Sequence, residues 1–184
     1  MTEQEIKSEI TEKLNQGTSK SSLYNQFKDK IKDESLRKIL ASRPSYELKL
    51  KFKKAHLILS IIWGFFILLE LIGILNLIVS FNIKVFISLI LSIYITINIW
   101  KFDGRFFLPG IIWFVFTIFN SYRELDNMYE YDSDYSIVLI ITVIYSLILV
   151  VGIYLLYNIR KNVFNYYNWF QPILNQDDEI QFEK

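Results

Sequence analysis

One carboxylate, Glu70, lies inside the apolar stretch GFFILLELIGIL at residues 64–75. Counting from the predicted ends of this segment places Glu70 close to the middle of a bilayer, where an ionised carboxylate costs several kcal/mol. Because no Lys, Arg or His is predicted at a comparable depth, we expect Glu70 to be protonated at neutral pH. The same count gives four candidate hydrogen-bond partners in other segments, which are Ser88, Ser92, Tyr145 and Ser146.

The buried acid has two interpretations. A neutral carboxyl group hydrogen-bonded across helices helps to fix the packing of a bundle, with an average contribution under about 1 kcal/mol. Alternatively, an intramembrane acid marks a path for protons or cations. We favour the packing interpretation, because a transport path predicts further polar residues or helix-breaking Gly and Pro at the same depth, and the sequence has few of them.

Common catalytic and metal motifs are missing from the sequence. There is no cysteine, no HExxH, no Gly-rich phosphate loop and no GxSxG. The sole histidine, His56, lies next to Lys53 and Lys54 at the edge of the first apolar segment, a position typical of an interfacial residue. Glu130, Asp132 and Asp134 alternate like the opening of a calcium loop, but the Gly and the distal Glu are absent. We therefore expect a non-enzymatic protein without a cofactor or metal.

Four apolar segments are predicted to cross a membrane as helices, at residues 57–79, 83–100, 106–121 and 136–157. At about 1.5 Å per residue the first is about 34 Å long, enough for a hydrocarbon core of about 30 Å. The second and third are shorter and are joined by KFDGR, which predicts an antiparallel hairpin that turns at Asp103-Gly104. The predicted fold class is thus all-α: a polytopic membrane protein with a small cytosolic helical module before the four spans.

The cations that flank the spans predict the orientation. Seven lie on one side, namely Lys51, Lys53, Lys54, Lys101, Arg105, Arg160 and Lys161, and two lie on the other, Lys84 and Arg123. Since Lys and Arg accumulate on the cytoplasmic side, both termini are predicted to be cytoplasmic. A signal peptide is not expected, because a long polar region precedes the first apolar run. The expected location is the cytoplasmic membrane of a bacterium.

Residues 1–43 predict a module of three short helices. Thr2 and Glu5 fit a capping box, and Gly17 offers a stop for the first helix. Asp33 is predicted to cap the third helix. Apolar residues recur at helical spacing in all three, as Ile6, Ile10, Leu14, Leu23, Tyr24, Phe27, Ile31, Leu36, Ile39 and Leu40. About forty residues are near the lower limit for a stable core, so the module is expected to need the membrane surface or a partner.

The turn between the first two helices has the outline of a helix-turn-helix, with polar residues that could face a groove. This outline is common to any αα-hairpin, and nearby acids dilute the positive charge, so a nucleic-acid partner is not expected. A protein partner or a second copy of the chain is the favoured interpretation. The residues predicted to dock it are Lys20, Tyr24, Asn25 and Lys28.

Two further regions flank the spans. Residues 44–56 predict a basic juxtamembrane helix that runs into the first span. Residues 161–184 predict an aromatic interfacial helix ended by Pro172 and then a disordered acidic tail, with a hydrophobic partner-binding surface as the alternative. Lipid headgroup contacts are expected for Lys49, Lys51, Lys53, Lys54, Arg160 and Lys161.

Two functions from different classes remain open. The first is an accessory or scaffold protein whose cytosolic module docks a partner. The second is a small proton- or cation-coupled transporter or pore that uses Glu70. The first predicts that removal of residues 1–43 abolishes function. The second predicts that Glu70→Gln abolishes function.

Overall fold

The computed structural model describes residues 2–76, 83–128, 134–168 and 170–182. The secondary-structure elements are α1 (Glu3–Asn15), α2 (Lys20–Phe27), α3 (Asp33–Ala41), α4 (Tyr46–Lys51), α5 (Lys53–Asn76), α6 (Ile83–Trp100), a 3₁₀ turn (Gly104–Phe106), α7 (Phe107–Met128), α8 (Tyr135–Val163), β1 (Tyr167–Asn168) and β2 (Gln171–Pro172). The helical class predicted from the sequence is confirmed.

Three helical stretches of the described chain are long and apolar enough to cross a membrane, at Lys53–Gly73, Gly104–Asp126 and Tyr135–Val163. Helix α6 contributes a shorter apolar stretch, Phe86–Trp100. Several predicted features lie outside the described residues. They are positions 77–79 of the first predicted span, Glu130 and Asp132 of the acidic loop, the side chain of Lys84, and Trp169 of the aromatic carboxyl-terminal segment.

The centre of the bundle is aromatic. Trp63 on α5 stacks on Phe114 of α7 with ring centroids 4.2 Å apart, and Phe66 meets Phe114 edge to face at 5.5 Å. Such offset and edge contacts are the favourable geometries of aromatic rings. Gly152 allows α8 to approach this cluster, because a Cβ there would lie 2.6 Å from the Phe114 ring.

Helices α1, α2 and α3 enclose a separate apolar core. It contains the residues that the helical spacing indicated: Ile6, Ile10, Leu14, Leu23, Phe27, Leu36, Ile39 and Leu40. The capping box of Thr2 and Glu5 is confirmed, and Gly17 has a φ of 93° just after α1 ends. The predicted cap of α3 was wrong. Lys32 occupies the N-cap position, and Asp33 instead accepts hydrogen bonds from Tyr24 and Arg37.

The basic juxtamembrane segment is helical, as predicted, but it is divided into two helices. The division lies at Phe52, which has a φ of −97° and a ψ of 7°. Leu48 on α4 and Phe52 at the break pack against the apolar core of the bundle, whereas Leu50 of α4 is 53% exposed.

The structure corrects the prediction for the carboxyl-terminal segment. Helix α8 ends at Val163, and β1 pairs with β2 in an antiparallel hairpin where an interfacial helix was predicted. The following residues are also ordered, with a bridge between Leu174 and Ile180. The sequence pattern missed this fold because the strands have two residues each. Their pairing depends on contacts with distant parts of the chain rather than on local periodicity.

Candidate functional site

Three helices contribute to a hydrogen-bonded chain that ends at Glu70. The Trp113 Nε1–H on α7 donates to Ser92 Oγ on α6 at 2.8 Å, and the Ser92 hydroxyl donates to Glu70 Oε1 on α5 at 3.0 Å. Ser92 is completely buried. Its oxygen accepts one hydrogen bond and its proton is used in another, so the orientation of the hydroxyl group is fixed by its two neighbours.

The second oxygen of Glu70 lies in a different environment. Oε2 is buried and has no hydrogen-bond partner among the described residues. Tyr145 on α8, one of the predicted partners, is half-buried and packs against the apolar core of the bundle. An unsatisfied buried polar atom costs about 1–3 kcal/mol, and it leaves this side of the carboxyl group able to hold a proton or accept an additional donor.

The other two predicted partners of Glu70 are placed differently. Ser146 on α8 donates to the carbonyl oxygen of Thr142 at 2.8 Å, so its hydroxyl proton is used within its own helix. Ser88 is half-buried on α6, one helical turn before Ser92. Sequence reasoning missed Trp113, although an indole N–H inside an apolar helix needs an acceptor and so could have indicated a polar site.

A second polar cluster lies at the turn between α6 and α7. The Asp103 carboxylate is completely buried and is shared by two guanidinium groups. Arg105 Nη2 is 2.7 Å from Asp103 Oδ2, and Arg43 Nη2, from the segment after α3, is 3.4 Å from the same oxygen. Burial favours a higher pKa for Asp103, but the hydrogen bonds from Arg105 and the charge of Arg43 outweigh burial and lower this pKa.

The same turn is hydrogen-bonded to the segment that follows α3 and so connects the amino-terminal helices to the bundle. The Gly104 N–H donates to the carbonyl oxygen of Ser42 at 2.9 Å, and Arg43 Nη1 donates to the carbonyl oxygen of Lys101, also at 2.9 Å. A Cβ at Gly104 would lie 2.3 Å from the buried Phe164 ring, so this position accepts only glycine without rearrangement.

His56 also belongs to this junction. Its Nε2–H donates to the carbonyl oxygen of Ile99 at 2.8 Å, and its ring stacks on Phe102 with centroids 4.2 Å apart. Phe102 has a φ of 54°, a left-handed conformation that the packing around it must hold in place. The residues from Lys101 to Arg105 therefore form a rigid contact point for three separate parts of the chain.

Two of the four residues predicted to dock a partner are covered by the chain's own carboxyl-terminal segment. Lys20 is 3% exposed and its Nζ donates to the carbonyl oxygen of Phe182 at 3.2 Å. Tyr24 stacks on the Phe182 ring. Asn25 and Lys28 are exposed. The surface that remains open on α2 is thus smaller than the sequence indicated.

The residues predicted to contact lipid headgroups differ in exposure. Lys51, Lys53, Lys54 and Lys161 are exposed. Lys49 is half-buried and donates to the Asn15 side chain. Arg160 is also half-buried, and its Nη2 lies 3.5 Å from the carbonyl oxygen of Tyr167.

No protein-family model matches this chain, and neither does any curated protein or any solved structure. The Glu70 carboxyl group, with its hydrogen bond from Ser92, can hold or exchange a proton. The Arg43–Asp103–Arg105 cluster instead holds the amino-terminal helices against the bundle.

Proposed function

We propose that this chain is a non-enzymatic, four-span membrane protein that docks a protein partner through its cytosolic unit. The unit consists of residues 1–43, and both termini lie on the cytoplasmic side. Besides the three long apolar helices, this proposal counts α6, the second helix of the bundle, as a span, because its 18 residues give a length of about 27 Å. Its buried side chains, including Ile95 and Ile99, belong to the core of the bundle.

The attachment of the cytosolic unit is the observation that carries this proposal. The unit has its own apolar core, and the backbone hydrogen bond at Gly104 and the buried Arg43–Asp103 pair fix it to the bundle. A rigidly held unit presents its outer surface in one orientation, and preorganisation of this kind lowers the entropy lost when a partner binds. The outer surface of α2 includes the exposed Asn25 and Lys28.

The proposed orientation rests on the distribution of charge. The start of α5, the end of α6 and the end of α8 meet at the junction around the turn, as the contacts of Phe102 with His56 and Phe164 indicate. Exposed cations accompany these helix ends, namely Lys51, Lys53, Lys54, Lys101 and Lys161. An accumulation of lysines at one end of a bundle is typical of the cytoplasmic side.

The test is co-purification from native membranes in mild detergent. The informative variant is Asn25→Glu/Lys28→Glu, which reverses the charge of the open surface of α2 and leaves both cores intact. The matched control, Lys161→Glu/Asn162→Glu, makes the same changes at exposed positions after the last span. We expect a stoichiometric partner to be retained by the wild type and the control and lost from the α2 variant. Equal retention by all three, or no partner at all, would overturn the proposal.

A second candidate function is proton or cation coupling at Glu70. The observation in its favour is the buried Oε2 atom of Glu70, which has no hydrogen-bond partner in the part of the chain that the structure describes. Proton flux into liposomes that contain the purified protein tests it, with Glu70→Gln as the informative variant and Ser88→Ala as the control at a similar depth. Flux that Glu70→Gln abolishes and Ser88→Ala preserves supports coupling. Absence of flux in the wild type assigns Glu70 to packing.

A further inference from the structure

A cavity of about 480 Å³ lies between α1 and the adjoining ends of α4, α5 and α6. Its volume falls within the range of about 300–1,000 Å³ that is usual for small-ligand sites. Four of its lining residues are cations, Lys7, Arg43, Lys49 and Lys101, and none of the described residues that line it is a carboxylate. The composition indicates an anionic ligand.

Cations within and beside the cavity lie close enough to repel one another. Asp103, the adjacent carboxylate, is already shared between Arg43 and Arg105. Burial lowers the pKa of Lys7, and the charge of Arg105 lowers it further. Burial lowers the pKa of Lys49 as well, with the charge of Arg43 as the second cause. An anion in the cavity would relieve this repulsion between like charges.

One cation that lines the cavity, Arg43, is almost completely buried. Arg43 is 5% exposed, and its Nε has no hydrogen-bond partner among the described residues, although its two terminal nitrogens bind Asp103 and the Lys101 carbonyl oxygen. Both terminal nitrogens of Arg43 already contact protein oxygens, so the four cations together, rather than the fork of Arg43 alone, favour an anion such as a phosphate group.

The rim of the cavity lies where α1 meets the start of α5 and the end of α6. Trp100, half exposed at the rim, donates its indole N–H to the carbonyl oxygen of Ser60 at 3.2 Å. Tryptophan is enriched at the level of lipid headgroups. In the orientation proposed above, this rim is at the cytoplasmic surface of the membrane, where anionic lipids attract cationic side chains.

We propose that this cavity binds a phosphate-bearing anion, and that the anion is the headgroup of an anionic phospholipid. The headgroup would lie among Lys7, Arg43, Lys49 and Lys101, with its acyl chains leaving past Trp100. A free phosphate ion shares this chemistry but has no apolar part to place at the rim. The bound lipid would stabilise the contact between the amino-terminal unit and the bundle, because both contribute cations to the same site.

The test measures thermal unfolding of the purified full chain in detergent, followed by tryptophan fluorescence. Short-chain phosphatidylglycerol, short-chain phosphatidylcholine and inorganic phosphate are titrated separately at constant ionic strength. The informative variant is Lys7→Gln/Lys101→Gln, and the matched control is Lys28→Gln/Lys32→Gln, which removes two exposed lysines that do not line the cavity. The unfolding midpoint of each variant without ligand shows whether it is folded.

We expect phosphatidylglycerol to raise the midpoint of the wild type and the control more than phosphatidylcholine does. Each lysine contributes about 1 kcal/mol at a membrane surface, so the loss of two should weaken binding about thirty-fold. The informative variant should therefore need about thirty-fold more phosphatidylglycerol for the same shift in midpoint. A response to inorganic phosphate alone, weakened only in the informative variant, supports the phosphate site and overturns the lipid as its source. Equal responses in all three proteins, or none, overturn the site. The assay measures the effect of lipid and phosphate on unfolding rather than retention of a partner, so its result is distinguishable from that of the docking test.

Discussion

Asp103→Asn should be among the most destabilising conservative substitutions in this protein. The change keeps the shape of the side chain but removes the carboxylate that Arg43 and Arg105 share. Arg43 is 5% exposed, so its charge would stay buried without a counter-ion. Removal of one partner of a buried ion pair costs about 3–5 kcal/mol. At about 2–4 °C per kcal/mol for a chain of this size, the unfolding midpoint should fall by roughly 6–20 °C.

The assay is thermal unfolding in detergent, followed by tryptophan fluorescence, with Asp33→Asn as the matched control. Asp33 also pairs with an arginine, Arg37, at 2.7 Å, but its side chain is 47% exposed. Because Asp33 is half exposed and Arg37 keeps Glu179 as a second partner, loss of this pair should cost about as little as loss of an exposed pair, about 0.2–1 kcal/mol, so the control should lose at most about 4 °C. Equal midpoints for Asp103→Asn and Asp33→Asn would refute the assignment of Asp103 as a buried counter-ion.

Three further predictions concern the junction and the carboxyl-terminal segment. Gly104→Ala places a Cβ 2.3 Å from a ring carbon, whereas a Cβ at Gly73 meets no described atom within 4 Å, so only Gly104→Ala should lower the free energy of unfolding, by about 1–3 kcal/mol, and with it the midpoint; equal midpoints for the two variants would contradict this. The pKa of Asp103 is below its ordinary value of 3.8, so its stabilisation is present above this pH and is lost in more acidic solution. The gap in midpoint between the wild type and Asp103→Asn should therefore be constant near neutral pH and shrink below about pH 4; a gap that widens in acid would contradict this. Ile180 is 5% exposed and Ile173 is 36% exposed, so Ile180→Ala should accelerate limited proteolysis of residues 164–182 more than Ile173→Ala does; equal rates would refute the docking of this segment.

Local patterns account for the features that the sequence predicted well. Apolar residues at helical spacing located α1, α2 and α3, and continuous apolar runs located the long helices, because each signal is contained in one short window. The residues 83–100 of the second predicted span coincide with α6. Depth counting placed Ser92 at the level of Glu70, and the structure brings their side chains within 3.0 Å.

The features that the sequence did not reveal depend on contacts between distant residues. Arg43 and Asp103 are sixty positions apart, and nothing in either local pattern indicates that they meet. The carboxyl-terminal segment looked like a disordered tail because of its acids. It is held instead by the apolar contacts of Ile180 and Phe182 and by the ion pair of Glu179 with Arg37. Tertiary contacts decide the structure of so short a segment.

The most direct test of partner docking is photo-crosslinking in intact cells. A photoreactive amino acid replaces Asn25 on the open surface of α2, and in the matched control it replaces the exposed Asn162 after the last span. The account predicts one discrete crosslinked product at position 25 that is absent at position 162, whether the captured protein is different or a second copy of this chain. No product at position 25, or the same products at both positions, would contradict it.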